Sequence, residues 1–289
     1  MSEDVFGLED EIIPFSNIVS VTFSAFDDFQ IVRQKRNASK GTRYTHIGLR
    51  RRVKDSSGKF VTITRSPEDL AKDFSDSAKA CARGARATRW KQALSTLEAD
   101  PLFAEAQVSG LVDVDPESFG REAGKIYRRL SSGHKIVLLT ITKLVESVQE
   151  KTLVMMDEPE AHLHPPLLSA FIRALSDLLI NRNGVAIIAT HSPVVLQEVP
   201  KSCAWKIFRH GYISSAERPA LETFAENVGS LTREVFGFEV TRSGFHRLLG
   251  DAVQADPDFE SVIDNFDGQL GAEGRAILSS MIAAIDEDQ

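Results

Sequence analysis

Residues 152–158 read TLVMMDE, a short apolar run that ends in two adjacent carboxylates, and this stretch decides the fold. Downstream, residues 166–180 have the apolar spacing of a helix. Residues 184–189 (GVAIIA) then form a second apolar run, which leads into residues 190–192 (THS). Continuous hydrophobic strands joined by a helix are typical of a parallel sheet that is covered on both faces. The sequence therefore predicts an α/β fold built on a parallel sheet.

The two carboxylates at the end of the first strand belong to Asp157 and Glu158. Neighbouring carboxylates repel each other, so the pair is costly unless a cation or a proton transfer makes use of it. In the Walker B pattern the first acid orients magnesium, and the second takes a proton from the water that attacks a γ-phosphate. An apolar strand ending in Asp-Glu also arises by chance, so further motifs are needed to support this interpretation.

Two further motifs accompany the acid pair. Ser131, Ser132 and Gly133 precede residues 135–148, which have helical spacing, and the N-terminus of a helix is a ready anion site. His191 follows the second strand, and open α/β sheets bind ligands at the carboxyl ends of their strands. Taken singly, these residues are better explained as a plain N-cap and a loop histidine. Their order along the chain indicates one triphosphate site.

These motifs resemble those of the ATP-binding-cassette (ABC) ATPases, specifically the soluble branch that includes the structural-maintenance-of-chromosomes, RecF-like and OLD-like proteins. Residues 130–134 (LSSGH) resemble the signature motif and residues 153–158 the Walker B strand. Residues 158–165 (EPEAHLHP) resemble the catalytic acid followed by the D-loop, and residues 190–193 (THSP) the switch-histidine region. Residues 20–30 and 222–250 also resemble ATPases of bacterial anti-phage loci such as Septu and retron-linked systems.

The resemblance implies ATP and Mg²⁺ as cofactors and a role for each matching residue. Asp157 is the expected magnesium residue, and Glu158 and His191 are the expected catalytic residues. The nucleotide-binding residues implied by the signature and by motif order are Ser131, Ser132, Gly133 and Gln30, the last as the glutamine that monitors magnesium.

The sequence departs from the family at three signature and D-loop positions. Ser132 and His134 replace the glycine and the glutamine that are common in the signature, and His164 stands where transporters keep an aspartate. A phosphate-binding loop of the form G-x-x-x-x-G-K-[ST] is also absent, and its nearest approach, residues 120–126, lacks the hydroxyl. We therefore expect ATP hydrolysis only if such a loop is supplied upstream or by another chain.

Charge is distributed unevenly along this chain of net charge −7. Residues 33–65 hold eleven Lys and Arg residues against the single acid Asp55, whereas residues 250–289 hold ten acids against Arg275. The basic stretch is either a contact surface for the phosphates of nucleic acid or nucleotide, or a solvated hairpin, and the acidic surface of a partner would suit it as well. Its sequence predicts hairpin arms at residues 44–53 and 59–64.

A helix is predicted to follow this basic stretch. Ser66-Pro67 and Asp69 form the start signal, with an N-cap hydroxyl, a proline in the first turn and an acid three residues after the cap. The Ala/Lys/Arg-rich run behind this signal predicts one helix that continues to near Asp100.

The sequence divides into four expected segments. Residues 1–32 contribute an N-terminal strand of the ATPase head, and residues 33–124 form the basic hairpin and a helical insertion. Residues 125–250 form the lobe with the signature, Walker B and switch-histidine motifs, and residues 251–289 an acidic helical appendage. Because the chain has no apolar run long enough for a membrane helix and only two cysteines, we expect a cytoplasmic protein without disulfides.

The expected function is that of the C-terminal part of an ATPase subunit, which couples ATP-driven head dimerisation to nucleic-acid sensing in an anti-phage or DNA-repair complex. The expected partners are a second copy bound through the ATPase heads, a nuclease subunit, and nucleic acid at residues 33–65. The alternative is a non-hydrolysing regulatory or scaffold subunit that keeps the ABC fold to dock a nuclease.

Overall fold

The structure is a computed structural model that describes residues 15–22, 42–237 and 244–287. The chain forms two compact units, Met1–Val195 and Leu196–Gln289. Gln30, the predicted magnesium-monitoring glutamine, lies outside the described residues, and its role stays a prediction. In the part of the chain that is described, we find no helix long and apolar enough to cross a membrane.

The first unit contains a sheet, a hairpin and a layer of helices. Its elements follow one another in the order β1 (Asn17–Thr22), β2 (Arg43–Gly48), β3 (Arg50–Lys54), β4 (Phe60–Thr64), α1 (Pro67–Cys81), α2 (Ala85–Leu97), α3 (Pro101–Ala106), α4 (Phe119–Arg129), α5 (Ser132–Ser147), β5 (Thr152–Asp157), α6 (Pro165–Ile180), β6 (Val185–Ala189) and α7 (Pro193–Gln197).

The main sheet has the strand order β2-β1-β5-β6, and each neighbouring pair is parallel. The helical connection α6 between β5 and β6 is the crossover that parallel strands require. The predicted α/β class with a parallel sheet is therefore confirmed.

The region that was expected to form one hairpin arm, residues 44–53, is instead divided between two sheets. Its first half is β2, which pairs in parallel with β1 in the main sheet, and its second half is β3, which pairs antiparallel with β4. The hairpin turn itself is as expected, because the Asp55 carboxylate accepts hydrogen bonds from the amides of Ser57 and Lys59, and Gly58 has a φ of +80°.

The predicted helix start at Ser66 is confirmed by a complete capping box. The Ser66 hydroxyl accepts from the Asp69 amide, and the Asp69 carboxylate accepts from the Ser66 amide. The helix does not continue to Asp100, however. It ends at Cys81 and restarts at Ala85 after Gly84, whose φ of +59° lies outside the helical region.

Helices α5 and α6 cover one face of the main sheet, and α1 and α2 pack against these two helices. The core between these layers contains large, fully buried side chains such as Phe74, Trp90, Phe103 and Phe171. The buried indole N–H of Trp90 donates a hydrogen bond to Thr142 Oγ1 at 3.0 Å. Burial of these aromatic side chains, together with the aliphatic side chains around them, stabilises this unit.

The sequence predicted that both faces of the sheet are covered, but among the described residues the other face is partly exposed on β5 and β6. Met155 on β5 and Val185 and Ile187 on β6 are exposed, Ile187 by 61%. In the registered pairs Met155↔Ile187 and Asp157↔Ala189, directly opposed residues of parallel strands share a face. Asp157 therefore lies at the end of the same open apolar face.

The second unit consists of a hairpin followed by helices. Its described elements are β7 (Lys206–His210), β8 (Ile213–Glu217), α8 (Val228–Phe236), α9 (Gly244–Ala255), α10 (Phe259–Asn265) and α11 (Ala272–Glu287). The last three form a small core around Val253, Val262, Ile263 and Leu278. The helical character expected of the acidic C-terminal region is confirmed.

Candidate functional site

The register of β5 and β6 brings the two distant motifs together. Asp157, the last residue of β5, is paired with Ala189, the last residue of β6, and the Glu158 amide donates to the Ala189 carbonyl at 2.9 Å. The residues that follow each strand, Glu158 and Thr190-His191, therefore emerge side by side at the carboxyl edge of the sheet.

The side chains of Glu158 and His191 meet in this position. His191 Nε2 lies 3.3 Å from Glu158 Oε1, and the imidazole is 78% exposed. Glu158 adopts a φ of +47°, which is uncommon for a residue with a side chain. Backbone conformations of this kind cost about 1–3 kcal/mol and cluster at functional sites. This conformation turns the chain sharply at the end of β5 and starts the D-loop.

Burial raises the pKa of the Glu158 carboxyl above its usual value, and the negative charges of Glu160 and Asp157 raise it further. His191 acts in the opposite direction because its positive form favours the Glu158 carboxylate. A carboxylate whose pKa is raised toward neutrality is a better proton acceptor, which is the property that a general base requires.

Glu160 holds the loop that carries His191. Its Oε1 accepts from Thr190 Oγ1 at 2.6 Å and from the His191 amide at 2.8 Å. Thr190 Oγ1 in turn accepts from the Ser192 amide at 2.9 Å. The second carboxylate oxygen of Glu160 is buried and has no hydrogen-bond partner among the described residues. Glu160 therefore positions the His191 backbone and adds a third negative charge to the site.

The predicted signature residues lie at the start of α5. Ser131 is the N-cap, its hydroxyl accepts from the His134 amide, and both Ser131 and Ser132 are exposed. Gly133 is buried against the D-loop, where an added Cβ would come within 2.5 Å of the His162 carbonyl oxygen. The signature helix therefore packs directly on the D-loop of its own chain.

The predicted site residues thus fall in two places along the D-loop. Asp157, Glu158 and His191 are together at the edge of the sheet, and Gly133 contacts His162 at the start of α5. Their predicted roles toward nucleotide and metal stay predictions.

The donor set at the strand ends suits magnesium. Asp157 and Glu158 offer carboxylate oxygens, and hard oxygen ligands are what Mg²⁺ prefers. Thr22, which ends β1, is the strand partner of Asp157 at the same edge of the sheet. If the ion binds here, Asp157 is the residue placed to hold it, and the ion would neutralise charge that develops on a phosphoryl group.

Sequence reasoning did not assign a role to Glu160. The signal was present in the Asp-Glu-Pro-Glu string, because a second acid two residues after Glu158 is close enough to reach the neighbouring strand end. Sequence reasoning also missed Asp100, whose Oδ1 lies 2.9 Å from His134 Nε2. Nothing near Asp100 in the sequence connects it with the signature.

The basic hairpin presents its cations on two faces. Arg51 forms an ion pair with Asp69 of α1 at 3.2 Å. Arg52 and Lys54 instead flank the Phe60 ring, with Arg52 Cζ 4.1 Å and Lys54 Nζ 5.4 Å from its centroid. Because side chains alternate along a strand, Arg52 and Lys54 share the face opposite to Arg51. That face combines positive charge with an exposed aromatic ring.

Comparison with known proteins finds a family model that is similar to part of the chain. Residues 117–197 match the family model described as "AAA domain, putative AbiEii toxin, Type IV TA system". This stretch contains the residues that resemble the signature, the Walker B strand, the D-loop and the switch histidine. Residues 117–197 are therefore similar to an AAA-type ATPase domain.

A similar whole protein is also known. The chain is 46% identical to "Protein ea59" of Escherichia phage lambda over 291 positions, which cover 94% of this chain and 54% of ea59. The chain thus spans about half the length of this relative.

Proposed function

We propose that the chain supplies the Walker B, switch-histidine and signature portion of an ABC-type ATP hydrolase. The observation that carries this proposal is the contact of Glu158 with His191 at adjacent strand ends, on a loop held by Glu160. Asp157 would hold Mg²⁺, which supplies charge neutralisation at the phosphates. Glu158 accepts the proton of the attacking water, and His191 steadies that water.

The phosphate-binding loop, in this proposal, comes from another polypeptide segment that packs on the open face of the sheet. Met155, Val185 and Ile187 are exposed there, next to Asp157, and apolar side chains of this size favour burial. The location of ligand sites in open α/β sheets supports the same placement. A loop bound beside β5 would bring a triphosphate to the carboxyl ends of the strands.

Head-to-head association of two copies would complete the site. Ser131 and Ser132 are exposed at the N-terminus of α5, where free backbone amides favour an anion. We propose that this end contacts the γ-phosphate held by a second head. The proposed outcome of ATP binding is thus a dimer, whose formation is coupled to nucleic-acid contact through the hairpin β3–β4.

The biological setting is proposed from resemblance. The matched family is described as a type IV toxin–antitoxin component, and the similar protein ea59 is from a phage. Both are consistent with a role in conflict between phage and host, such as an anti-phage complex with a nuclease partner.

The proposal is tested by hydrolysis in a reconstituted complex. The part of ea59 that lies outside the stretch similar to this chain is produced as a separate polypeptide and mixed with the purified chain. We expect no stoichiometric ATP binding by the chain alone in calorimetry, and Mg²⁺-dependent hydrolysis by the mixture. Glu158→Gln should abolish hydrolysis and trap an ATP-bound dimer in analytical ultracentrifugation. Undiminished hydrolysis by this variant would remove Glu158 from the proposed role.

A further inference from the structure

Three polar side chains from separate elements converge beside the signature helix. Asp100 is the N-cap of α3, His134 lies in the first turn of α5, and His164 is the N-cap of α6. One oxygen or nitrogen atom from each lies within 4.8 Å of the others. His134 Nε2 is 2.9 Å from Asp100 Oδ1, and His164 Nε2 is 3.4 Å from Asp100 Oδ2.

The cluster is buried on one side and open on the other. The side chains of Asp100 and His134 are only 2% and 3% exposed, whereas that of His164 is half exposed. Among the described residues, Asp100 forms ion pairs with these two histidines alone and with no Lys or Arg. Asp100 Oδ1 also accepts from the amides of Leu102 and Phe103, which offsets part of the cost of burying the carboxylate. A divalent cation would supply the positive charge that these amides do not. The half-exposed His164 provides a route for an ion from solvent.

The donor atoms are close to the spacing that a tetrahedral ion requires. With ligands about 2.0–2.1 Å from zinc, two neighbouring ligand atoms are about 3.3 Å apart. The measured separations are 2.9 Å from His134 Nε2 to Asp100 Oδ1 and 3.4 Å from His164 Nε2 to Asp100 Oδ2, which are different carboxylate oxygens. One donor atom from each residue lies within 4.8 Å of the others, so the side chains must adjust before all three contact one ion. A set of two imidazoles and one carboxylate is a donor combination that zinc favours, and it leaves a fourth position for water.

The surroundings of His134 also suit a ligand. Its Nδ1 is 2.7 Å from Ser131 Oγ, so with Nδ1–H donating to that hydroxyl the Nε2 lone pair faces Asp100. Metal-bound histidines usually donate their other ring N–H in this way. At His164, metal binding removes one hydrogen bond. If Nε2 binds the metal, Nδ1 carries the proton and can no longer accept the long 3.4 Å hydrogen bond from the Leu167 amide. The exposed ring can replace that contact with water.

We propose that Asp100, His134 and His164 bind one Zn²⁺ ion, which joins the starts of α3, α5 and α6. The ion would fix the signature end of α5 relative to the D-loop, which already contacts Gly133 through His162. This inference concerns the isolated chain and does not rest on the proposed ATPase activity.

Metal titration of the purified chain tests the proposal. After dialysis against a chelator, we expect one equivalent of Co²⁺ to bind per chain and to give the intense visible absorption of tetrahedral coordination, and Zn²⁺ to displace it. Saturating Zn²⁺ should raise the melting temperature by several degrees, because an ion that binds only the folded state stabilises it. His164→Gln and Asp100→Asn should each weaken Co²⁺ binding at least about tenfold.

Two control variants separate this cluster from other histidines. His162→Gln changes an exposed residue two positions from His164, and it should bind Co²⁺ as the unchanged chain does. His191→Ala removes the histidine next to Glu158 and should also keep the absorption band. Asp100→Asn preserves an oxygen for the α3 cap, and His164→Gln alters a half-exposed side chain, so the fold is expected to survive. Absence of the band in the unchanged chain overturns the proposal, as does its loss in His191→Ala with retention in His164→Gln.

Discussion

His191 Nε2 lies 3.3 Å from Glu158 Oε1 because β5 and β6 end side by side, with Asp157 opposite Ala189. The contact depends on strand register, since a slip by one residue would turn each strand-end side chain to the other face. Glu160 adds a second constraint by accepting from the His191 amide at 2.8 Å. The imidazole and the carboxylate are therefore positioned by backbone interactions, before any ligand binds.

Glu158→Gln should stabilise the isolated chain at about pH 7. Burial and the charges of Glu160 and Asp157 raise the pKa of Glu158 in the folded state, so ionisation at neutral pH opposes folding. The penalty is present above the folded-state pKa and disappears as the pH falls below the unfolded-state value. Since the side chain is 39% exposed, we expect a gain of only roughly 0.5 kcal/mol at about pH 7 and none near ~pH 3.5.

Urea unfolding followed by circular dichroism measures this difference at both pH values. Glu105→Gln, on the exposed side of α3, is the matched control and should leave the stability unchanged. A loss of stability in Glu158→Gln at about pH 7 would show that the carboxylate is stabilised in the fold, contrary to the expected direction.

Glu160→Gln should lower the pKa of Glu158. The change removes a negative charge that helps to raise this pKa, while the amide oxygen can still accept from Thr190 and from the His191 backbone. Carbon-13 NMR of the side-chain carboxyls against pH measures the shift, with Glu158→Gln used to assign the signal. Thr190→Val keeps the charge of Glu160 and should change the pKa of Glu158 less. An unchanged pKa in Glu160→Gln would mean that solvent screens the two carboxylates from each other.

The sequence predicted the elements whose signals are local. The apolar run before Asp157 became β5, and the caps at Ser66 and Ser131 start helices as expected. The meeting of Glu158 and His191 was also predicted, because residues that follow neighbouring parallel strands reach the same edge of the sheet. In these cases, the periodicity, the capping residues and the order of the motifs are sufficient to predict the structure.

The features that were missed depend on distant partners. Residues 44–48 belong to the main sheet because they pair in parallel with β1. This pairing with a distant strand cannot be predicted from residues 44–64, whose sequence is typical of a hairpin. The exposure of one face of β6 was not predicted, because the sequence of an apolar strand is the same whether or not another layer covers that face. Asp100 lies far from His134 in sequence, and only the packing of α3 against the start of α5 brings them within 2.9 Å.

Gly133→Ala should destabilise the first unit. An added Cβ would lie 2.5 Å from the His162 carbonyl oxygen, and backbone on both sides leaves little room to relax. Overpacking of this kind costs about 1–3 kcal/mol. In Gly120→Ala on α4, the nearest atom belongs to the flexible Lys79 side chain at 3.5 Å, so we expect no loss of stability. Urea unfolding of both variants measures the difference, and equal stabilities would show that the D-loop moves aside without cost.

Replacing Arg52 and Lys54 together by Glu should weaken binding of duplex DNA at least about tenfold. Both cations flank Phe60 on the hairpin face that Arg51 leaves free, so their charges are available to phosphates. Fluorescence anisotropy at several salt concentrations measures binding, and losing two phosphate contacts should reduce the slope of log K against log salt by about 2. The matched control replaces Arg121 and Lys125, which lie beside Glu122 on α4, by Glu. An equal loss in both double variants would assign binding to net charge and not to the hairpin, because only a specific contact surface makes the effect depend on position.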